Sequence, residues 1–503
     1  MPTTAWVILI TVIVVVALAV NDIVQTKHAI RRVYPIVGRF RYLLEQVGPE
    51  LRQYIVTNDL EERPYNRSQR SWVYQSAKGV NSAVGFGTQH DVHHEGEFHF
   101  IPSTFPTLDE EAPTDSNPHV IGPRRPRPFA TRSRINIAPM SFGALSEAAV
   151  RALSVGAASA EIYLNTGEGG LSPYHLAGGG DIIFQLGPAK YGCRDQDGHL
   201  DWGRLREIGW HDQVHAIEIK LGQGAKPGKG GILPGAKVTA EIAAIRGIPE
   251  GVASHSPNRF TEFSTIPELI DFVERIKDSV PVPVGVKIVV GDPQFVDDLA
   301  RERAATGRGP DYISVDGAEG GTGAAPVSLA DHMGMPLTDA IVVVDNTYRR
   351  HGVREDISII AAGRIITGAE AAYAMALGAD LINIGRGFLF SIGCIQALRC
   401  HTNECPTGVA TQSRWRQRGL VPARKGERVA NYARAVQEDL MIVTRAVGLR
   451  SPGELNRTYV DVITDIGGRM PASRLYPYPP GAMHAAMMAG AFREASSPGS
   501  AAG

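Results

Sequence analysis

The sequence predicts an α/β protein, a (β/α)8 TIM-type barrel preceded by an N-terminal transmembrane helix. Three observations carry that reading. Eight short apolar, β-branched runs alternate with helix-period segments between residues 135 and 385. Most of those runs end in glycine or a polar residue, as barrel strands do at the face where chemistry is done. Residues 5 to 20 form one uncharged, almost wholly apolar run. Bulk properties narrow the class. A chain of 503 residues has room for two or three domains, or for one large barrel with additions. Lys plus Arg (51) against Asp plus Glu (52) leaves a formal charge of -1, so no global field draws the protein toward nucleic acid. Glycine (55) and proline (33) are abundant, yet 43% hydrophobic content excludes wholesale disorder and points to many tight turns.

The N-terminal run comes first. Its helix would be about 24 Å long at ~1.5 Å per residue, just short of a usual span, and Thr3, Thr4 and Asn21 can extend it. A cleaved signal peptide is the rival, because Ala17-Leu18-Ala19 resembles a cleavage site, but no basic residue precedes the run. Lys27, Arg31, Arg32, Arg39 and Arg41 all follow it, which places the bulk of the chain in the cytoplasm by the positive-inside rule. Residues 1–24 are therefore expected to be a single-pass membrane anchor. Residues 25–90 read as an amphipathic or linker segment, with Tyr34, Phe40, Leu43 and Leu44 interleaved with arginine. Residues 91–465 form the main body. Residues 466–503 are a C-terminal extension, expected to fray from about Ala495.

Within the body the expected strands are 135–140, 161–165, 181–186, 216–221, 284–289, 312–316, 358–362 and 381–385. Helices are expected between them, for example 146–160 with Ser146 as N-cap, 267–280 and 368–377. Crossovers mostly of ten or more residues favour a closed barrel over an open doubly wound sheet. Neither G-x-G-x-x-G nor a P-loop motif occurs, so a dinucleotide domain has no local support.

The strand ends carry the candidate site. Strand 2 runs into Asn165 to Gly170 with Glu168, strand 3 contains Gln185, and strand 4 leads into Lys220 to Gly228 with Lys226. Strand 5 holds Lys287, strand 6 opens into Asp316 to Gly323 with Gly320 and Gly321, and strands 7 and 8 end at Gly363-Arg364 and Gly385-Arg386. Glycines there let backbone N–H groups approach an anion, and loops 7 and 8 of such barrels often hold a phosphate. A single such loop would be an ordinary turn with a solvated cation. Five together describe a phosphorylated cofactor at the barrel mouth.

Only four cysteines occur, too few for a disulfide scaffold, yet Cys394, Cys400 and Cys405 cluster as C-x5-C-x4-C. Thiolates this dense suit a soft metal. Three without an obvious fourth fit a three-iron cluster. The competing readings are a Cys3His zinc site completed by His401, a distant fourth thiolate from Cys193, and inert buried thiols. His90, His93, His94 and His99, with Glu95 and Glu97, do not form H-E-x-x-H, because His94-Glu95 is followed by His99 at the wrong interval for one helical face, and they read as a polar surface or domain-entry strand. Arg124, Arg125, Arg127, Arg132 and Arg134 read as a solvated linker, against lipid headgroups or water rather than nucleic acid.

These residues also resemble a known family. Pro139 to Gly143, Asn165 to Gly170, Gln223 to Gly228, Gly320 to Gly323 and Cys394 to Gln412 resemble, in order, the FMN-binding synthase domain of glutamate synthase, over about residues 90 to 465. The resemblance implies a (β/α)8 barrel carrying FMN and a [3Fe-4S] cluster, which reduces 2-iminoglutarate, formed from 2-oxoglutarate and ammonia, to L-glutamate. It implies that Cys394, Cys400 and Cys405 hold the cluster. Lys226 and Arg246 would bind the two carboxylates, with Glu168 where ammonia emerges beside the flavin. Ser141, Gln185, Lys220 and Lys287 would surround the flavin ring and ribityl chain, with Gly320 and Gly321 in the adjoining motif and Gly363, Gly385 and Arg386 at the phosphate.

Three departures shape the expectation. Met1-Pro2 leads into an apolar helix where the family's complete enzyme begins with a nucleophilic cysteine, so glutamine is not the expected nitrogen source. No fused NADPH-binding partner is expected, which leaves ferredoxin, a separate reductase or a membrane donor to supply electrons. Ile232 stands where glutamate-forming enzymes carry glutamine, a loss worth about 1 to 3 kcal/mol toward 2-oxoglutarate or the mark of another oxo acid. The alternatives are amino or N-methyl transfer involving glutamate on the same barrel, and a non-catalytic, membrane-tethered electron relay. A relay needs no carboxylate clamp, so Lys226 and Arg246 weigh against it.

Overall fold

Eight parallel strands close on themselves in the computed structural model, which describes residues 3–80, 83, 85–115, 117–464 and 468–480. They are β1 (Ile135–Ile137), β2 (Leu164–Asn165), β3 (Ile182–Leu186), β4 (Val214–Lys220), β5 (Val284–Ile288), β6 (Tyr312–Asp316), β7 (Ser358–Ala362) and β8 (Leu381–Ile384). Each neighbours the next in the chain, and β8 pairs with β1 through Ile382 and Ile135. All eight expected strands are present. β2 is shorter than expected because Glu161 sits in the left-handed region (φ 55), which ends the preceding turn and delays the strand.

Helices fill the crossovers, as parallel strands require. Helix Glu147–Ser159 starts where Ser146 accepts a hydrogen bond from the Ala149 amide at 3.1 Å. Helices Ile266–Ser279 and Gly368–Leu377 start with capping boxes, Thr265 with Glu268 and Thr367 with Glu370.

The barrel core lies toward the strand starts, where Tyr163, Ile183, Ala216, Tyr312, Ile360 and Leu381 pack together. Gly285 is required there, because a Cβ would stand 2.5 Å from the Tyr312 ring. A hairpin of His119–Ile121 and Phe129–Thr131 adds Ile121 and Phe129 to this cluster and stoppers the N-terminal end.

The basic stretch is a solvated linker only at Arg124 and Arg132, which stay exposed and pair with Asp356 and Glu161. Arg125 donates to the Lys277 and Val280 carbonyls, Arg127 to those of Gly209, His211 and Val214, and Arg134 to the Asp115 carboxylate and the Asn117 carbonyl. These arginines fasten the stopper to the barrel wall. Satisfying chain-end carbonyls, rather than meeting lipid, is what the charge does.

The chain divides into two compact units, Met1–Gln69 and Arg70–Gly503. In the first, helix Thr3–Val24 is, among the described residues, the one helix long and apolar enough to cross a membrane. Its Asp22 carboxylate accepts from Arg31 at 2.7 Å, Arg39 at 2.7 Å and the Ile36 amide at 3.0 Å. Helix Val37–Leu51 exposes Phe40, Leu43 and Leu44. In the second unit, strand Phe98–Phe100, with His99 in it, pairs with Val460–Ile463, which also pairs with Arg469–Pro471. The expected frayed tail from about Ala495 lies outside the described residues.

Candidate functional site

The loops at the C-terminal ends of β1, β2, β4 and β6 bring an acid and several cations together. Glu168 sits in a short turn after β2 and pairs with Lys220, at the end of β4, at 3.2 Å. Burial opposes its ionisation, but Lys220, Lys226 and Arg246 overcome this and hold its pKa below the usual value. Two glycines make room for this carboxylate. A Cβ on Gly187 would stand 2.7 Å from Glu168 Oε2, and one on Gly231 would be closer still to Oε1. Gly231→Ala should therefore displace Glu168 and lower kcat by about a hundredfold while the protein remains folded. Wild-type turnover in that variant would show that the carboxylate's position does not matter.

Arg246 ends helix Ala240–Arg246 and is buried. It donates to the Phe142 carbonyl at 3.0 Å and lies over the Tyr191 ring, 5.0 Å from its centroid. Its Nε is buried with no hydrogen-bond partner among the described residues. Burial lowers its pKa against the pull of Tyr191 and Glu168. Lys226 is also buried, and desolvation, reinforced by Lys220, brings its pKa down to about 8.

Lys220 and Lys287 share a register across β4 and β5, yet their surroundings differ. Lys220 also donates to Gln223 Oε1 at 3.1 Å, and Gln223 in turn donates to the Gly321 carbonyl at 2.9 Å. Lys287 is neutralised by Asp316 at 2.6 Å, whose carboxylate also accepts from the Gly224 amide at 2.8 Å. One carboxylate thus ties the loops after β4 and β6 together.

Gln185 turns into the barrel. Its amide donates to Glu218 Oε1 at 2.7 Å, and Asn165 donates to the same oxygen at 2.9 Å. Glu218 is fully buried, and burial raises its pKa despite Lys287 and those two amides. This layer forms the floor beneath the mouth.

The remaining cofactor candidates form a backbone cradle. Gly167 (φ 63) lets the loop after β2 approach the Ser141 amide, which a Cβ would reach at 2.8 Å. Arg386 donates to the Glu319 carbonyl at 2.6 Å and lies against Gly321, where a Cβ would stand 2.7 Å from its Nε. At Gly320 a Cβ would meet Asp316, at Gly363 it would meet Leu337 at 3.2 Å, and Gly385 leads into helix Arg386–Ser391.

The cysteine loop is stapled to this same mouth. Lys237 donates to the carbonyls of Cys400 and Ala144, each at 2.9 Å. Gln412 donates to the Gly143 and Leu145 carbonyls, Asn403 to that of Ala236, and Tyr74 to that of Cys394 at 2.7 Å. A Cβ on Gly323 would lie 3.8 Å from Cys400 Cβ. Gln396, Leu398 and Asn403 all adopt positive φ, so the loop turns sharply at each of them. Burial pushes the Cys394 thiol up to about 12, even though the Gln396 amide donates to its Sγ at 3.4 Å, and burial likewise raises Cys400.

Among the described residues, the only three His, Cys, Asp or Glu ligand atoms lying within 4.8 Å of one another belong to exposed Asp195, Asp197 and His199. Cys193 lies apart in the β3 crossover, its thiol pushed up to about 12 by burial and then by Asp201.

Sequence reasoning missed Lys237, Glu218, Asp316 and Gln412 as side chains that build this site. Glu218 had a signal, since it shares the inward parity of Lys220 on β4. Gln412 closes the cysteine motif but its role was not legible, and Lys237 had no signal, because their partners are backbone carbonyls of distant loops.

The family profile described as a conserved region in glutamate synthase matches residues 98–450. A glutamate synthase large subunit-like protein, YerD, of Bacillus subtilis is 40% identical over 479 residues, covering 88% of this chain and 91% of that one. The archaeal glutamate synthase [NADPH] of Methanocaldococcus jannaschii is 38% identical over 63% of this chain, which spans 59% of that relative's length. Among solved structures, a mandelate oxidase with (S)-4-hydroxymandelic acid superposes with a TM-score of 0.45 at 16% identity, covering 78% of this chain and 99% of that one.

Proposed function

The chain belongs to the glutamate synthase family of oxidoreductases, and from that premise we propose that it forms L-glutamate by reductive amination of 2-oxoglutarate with ammonia, using FMN and a [3Fe-4S] cluster. One observation carries the reading. A three-thiol loop is hydrogen-bonded, through Lys237 and Gln412, to the same barrel mouth that gathers Glu168, Lys226 and Arg246.

Cys394, Cys400 and Cys405 would hold the cluster. Ser141, Lys220, Lys287, Gly320, Gly321, Gly363, Gly385 and Arg386 would hold FMN, and Gln185, tied to Glu218, braces the floor beneath it. When bound, the cluster supplies electrons and the flavin supplies the hydride that reduces an imine carbon. The glycine cradle suits a phosphorylated group, since bare backbone N–H groups can approach an anion, and side chains at Gly320 and Gly321 would collide with Asp316 and Arg386.

Arg246 and Lys226 are two buried cations, which matches a substrate with two carboxylates. Glu168, kept ionised by the surrounding cations, accepts hydrogen bonds from the incoming nitrogen. Burial of these groups excludes the water that would hydrolyse an imine.

The site sets a pH dependence. Lys226 loses its proton as pH rises through about 8, so kcat/KM for the oxo acid should fall above that pH. A profile flat to well beyond it would detach Lys226 from carboxylate binding. Residues 1–24 would anchor the body, residues 91–465, at the cytoplasmic face, and ferredoxin or a separate reductase would be the donor. The deciding assay is anaerobic. The purified protein is photoreduced, mixed with 2-oxoglutarate and ammonium, and followed for flavin reoxidation coupled to L-glutamate. Reoxidation without glutamate would reject the reading.

A further inference from the structure

We propose that Lys237 is a positioning residue whose buried ammonium raises the reduction potential of the cluster held by Cys394, Cys400 and Cys405 while clipping the cluster loop to the substrate side of the site. The proposal rests on the cluster reading above. Lys237 is 2% exposed, and it is one of the largest fully buried side chains in the protein. Its ammonium spends two donors on backbone carbonyls, those of Cys400 and Ala144, each at 2.9 Å.

Burial brings the Lys237 pKa down to about 8, against the pull of the Cys400 and Cys405 thiols, and Arg246 opposes the charge as well. A buried ammonium is costly unless an anion answers it. The groups that answer Lys237 are the thiols of the cysteine loop, so its charge is best accommodated when they are ligand thiolates. A cation beside a reducible centre stabilises the added electron, and net charge and hydrogen bonding are the protein's means of setting a cluster potential.

The second contact gives the device its reach. Ala144 lies in the loop that presents Ser141, and the Phe142 carbonyl of the same loop holds Arg246 at 3.0 Å. One side chain therefore spans the thiol loop and the carboxylate-binding side. Its neighbourhood is tightened further by Asn403, which donates to the Ala236 carbonyl at 3.2 Å beside Lys237.

The test compares the full-length wild type with Lys237→Gln, which keeps a donor without the charge, and Lys237→Arg, which keeps the charge. All are reconstituted anaerobically with iron and sulfide, assayed for bound iron, and titrated for the cluster's midpoint potential by electron paramagnetic resonance. The expected result is equal iron in all three, a lower potential in Lys237→Gln, and a potential near wild type in Lys237→Arg. Loss of iron in Lys237→Gln with retention in Lys237→Arg would also support the charge. An unchanged potential in iron-loaded Lys237→Gln, or loss of iron in both folded variants, would reduce Lys237 to packing and overturn the proposal. Failure of the cluster reading itself would be visible separately, as a wild-type protein that binds no iron.

Discussion

Cys400→Ser should release the bound iron, bleach the cluster absorbance and reduce donor-dependent turnover to background, while FMN stays bound. Serine is nearly isosteric but presents a hard alkoxide oxygen where iron–sulfur chemistry needs a soft thiolate. Cys400 is the most informative of the three because its loop position is fixed by Lys237 on its carbonyl. The proposed flavin cradle is built from other loops, so retention of flavin separates ligand loss from unfolding. Cys193→Ser, in the β3 crossover, should leave the iron in place. A Cys400→Ser protein with its full complement of iron would remove this thiol from the ligand set.

Arg246→Ala should raise KM for the oxo acid by about 10- to 100-fold, corresponding to the ~1.5 to 3 kcal/mol of a hydrogen bond to a charged group. FMN content should not change. The side chain is poised rather than idle, with one terminal nitrogen on the Phe142 carbonyl, its plane over Tyr191 and its Nε buried without a partner among the described residues. Gly143 and Gly169 leave it that space, since a Cβ at either would come within 3.0 Å of its NH2 group. Arg246→Lys, which restores charge without the planar fork, should recover only part of the loss. Unchanged kinetics in Arg246→Ala would refute its assignment to a carboxylate.

The barrel was legible because each strand is a short β-branched run bounded by glycine or a polar residue, and these are the features that place a strand inside a parallel sheet. The mouth was legible in part. Glycine-rich loops marked where Glu168, Lys226 and Arg386 would sit, but not which cations would be neutralised there. Lys220 and Lys287 look equivalent in sequence, and only the fold reveals that Asp316 answers one while Glu168 answers the other. Gln185 was expected beside a cofactor, and its partner Glu218, which the pairing of β3 and β4 brings to its amide, was not legible. Arg125, Arg127 and Arg134 misled for a related reason. Charge in a proline-rich stretch suggests solvent, and nothing local shows that the carbonyl ends of three distant segments will consume it.

That stopper hairpin has an evolutionary consequence. Its grip on the barrel wall anchors the end remote from the reacting groups, so mutations that redesign specificity at the opposite rim, Ile232 among them, can accumulate without loosening the scaffold. Descendants of such a protein are free to change what they act upon long before they change shape.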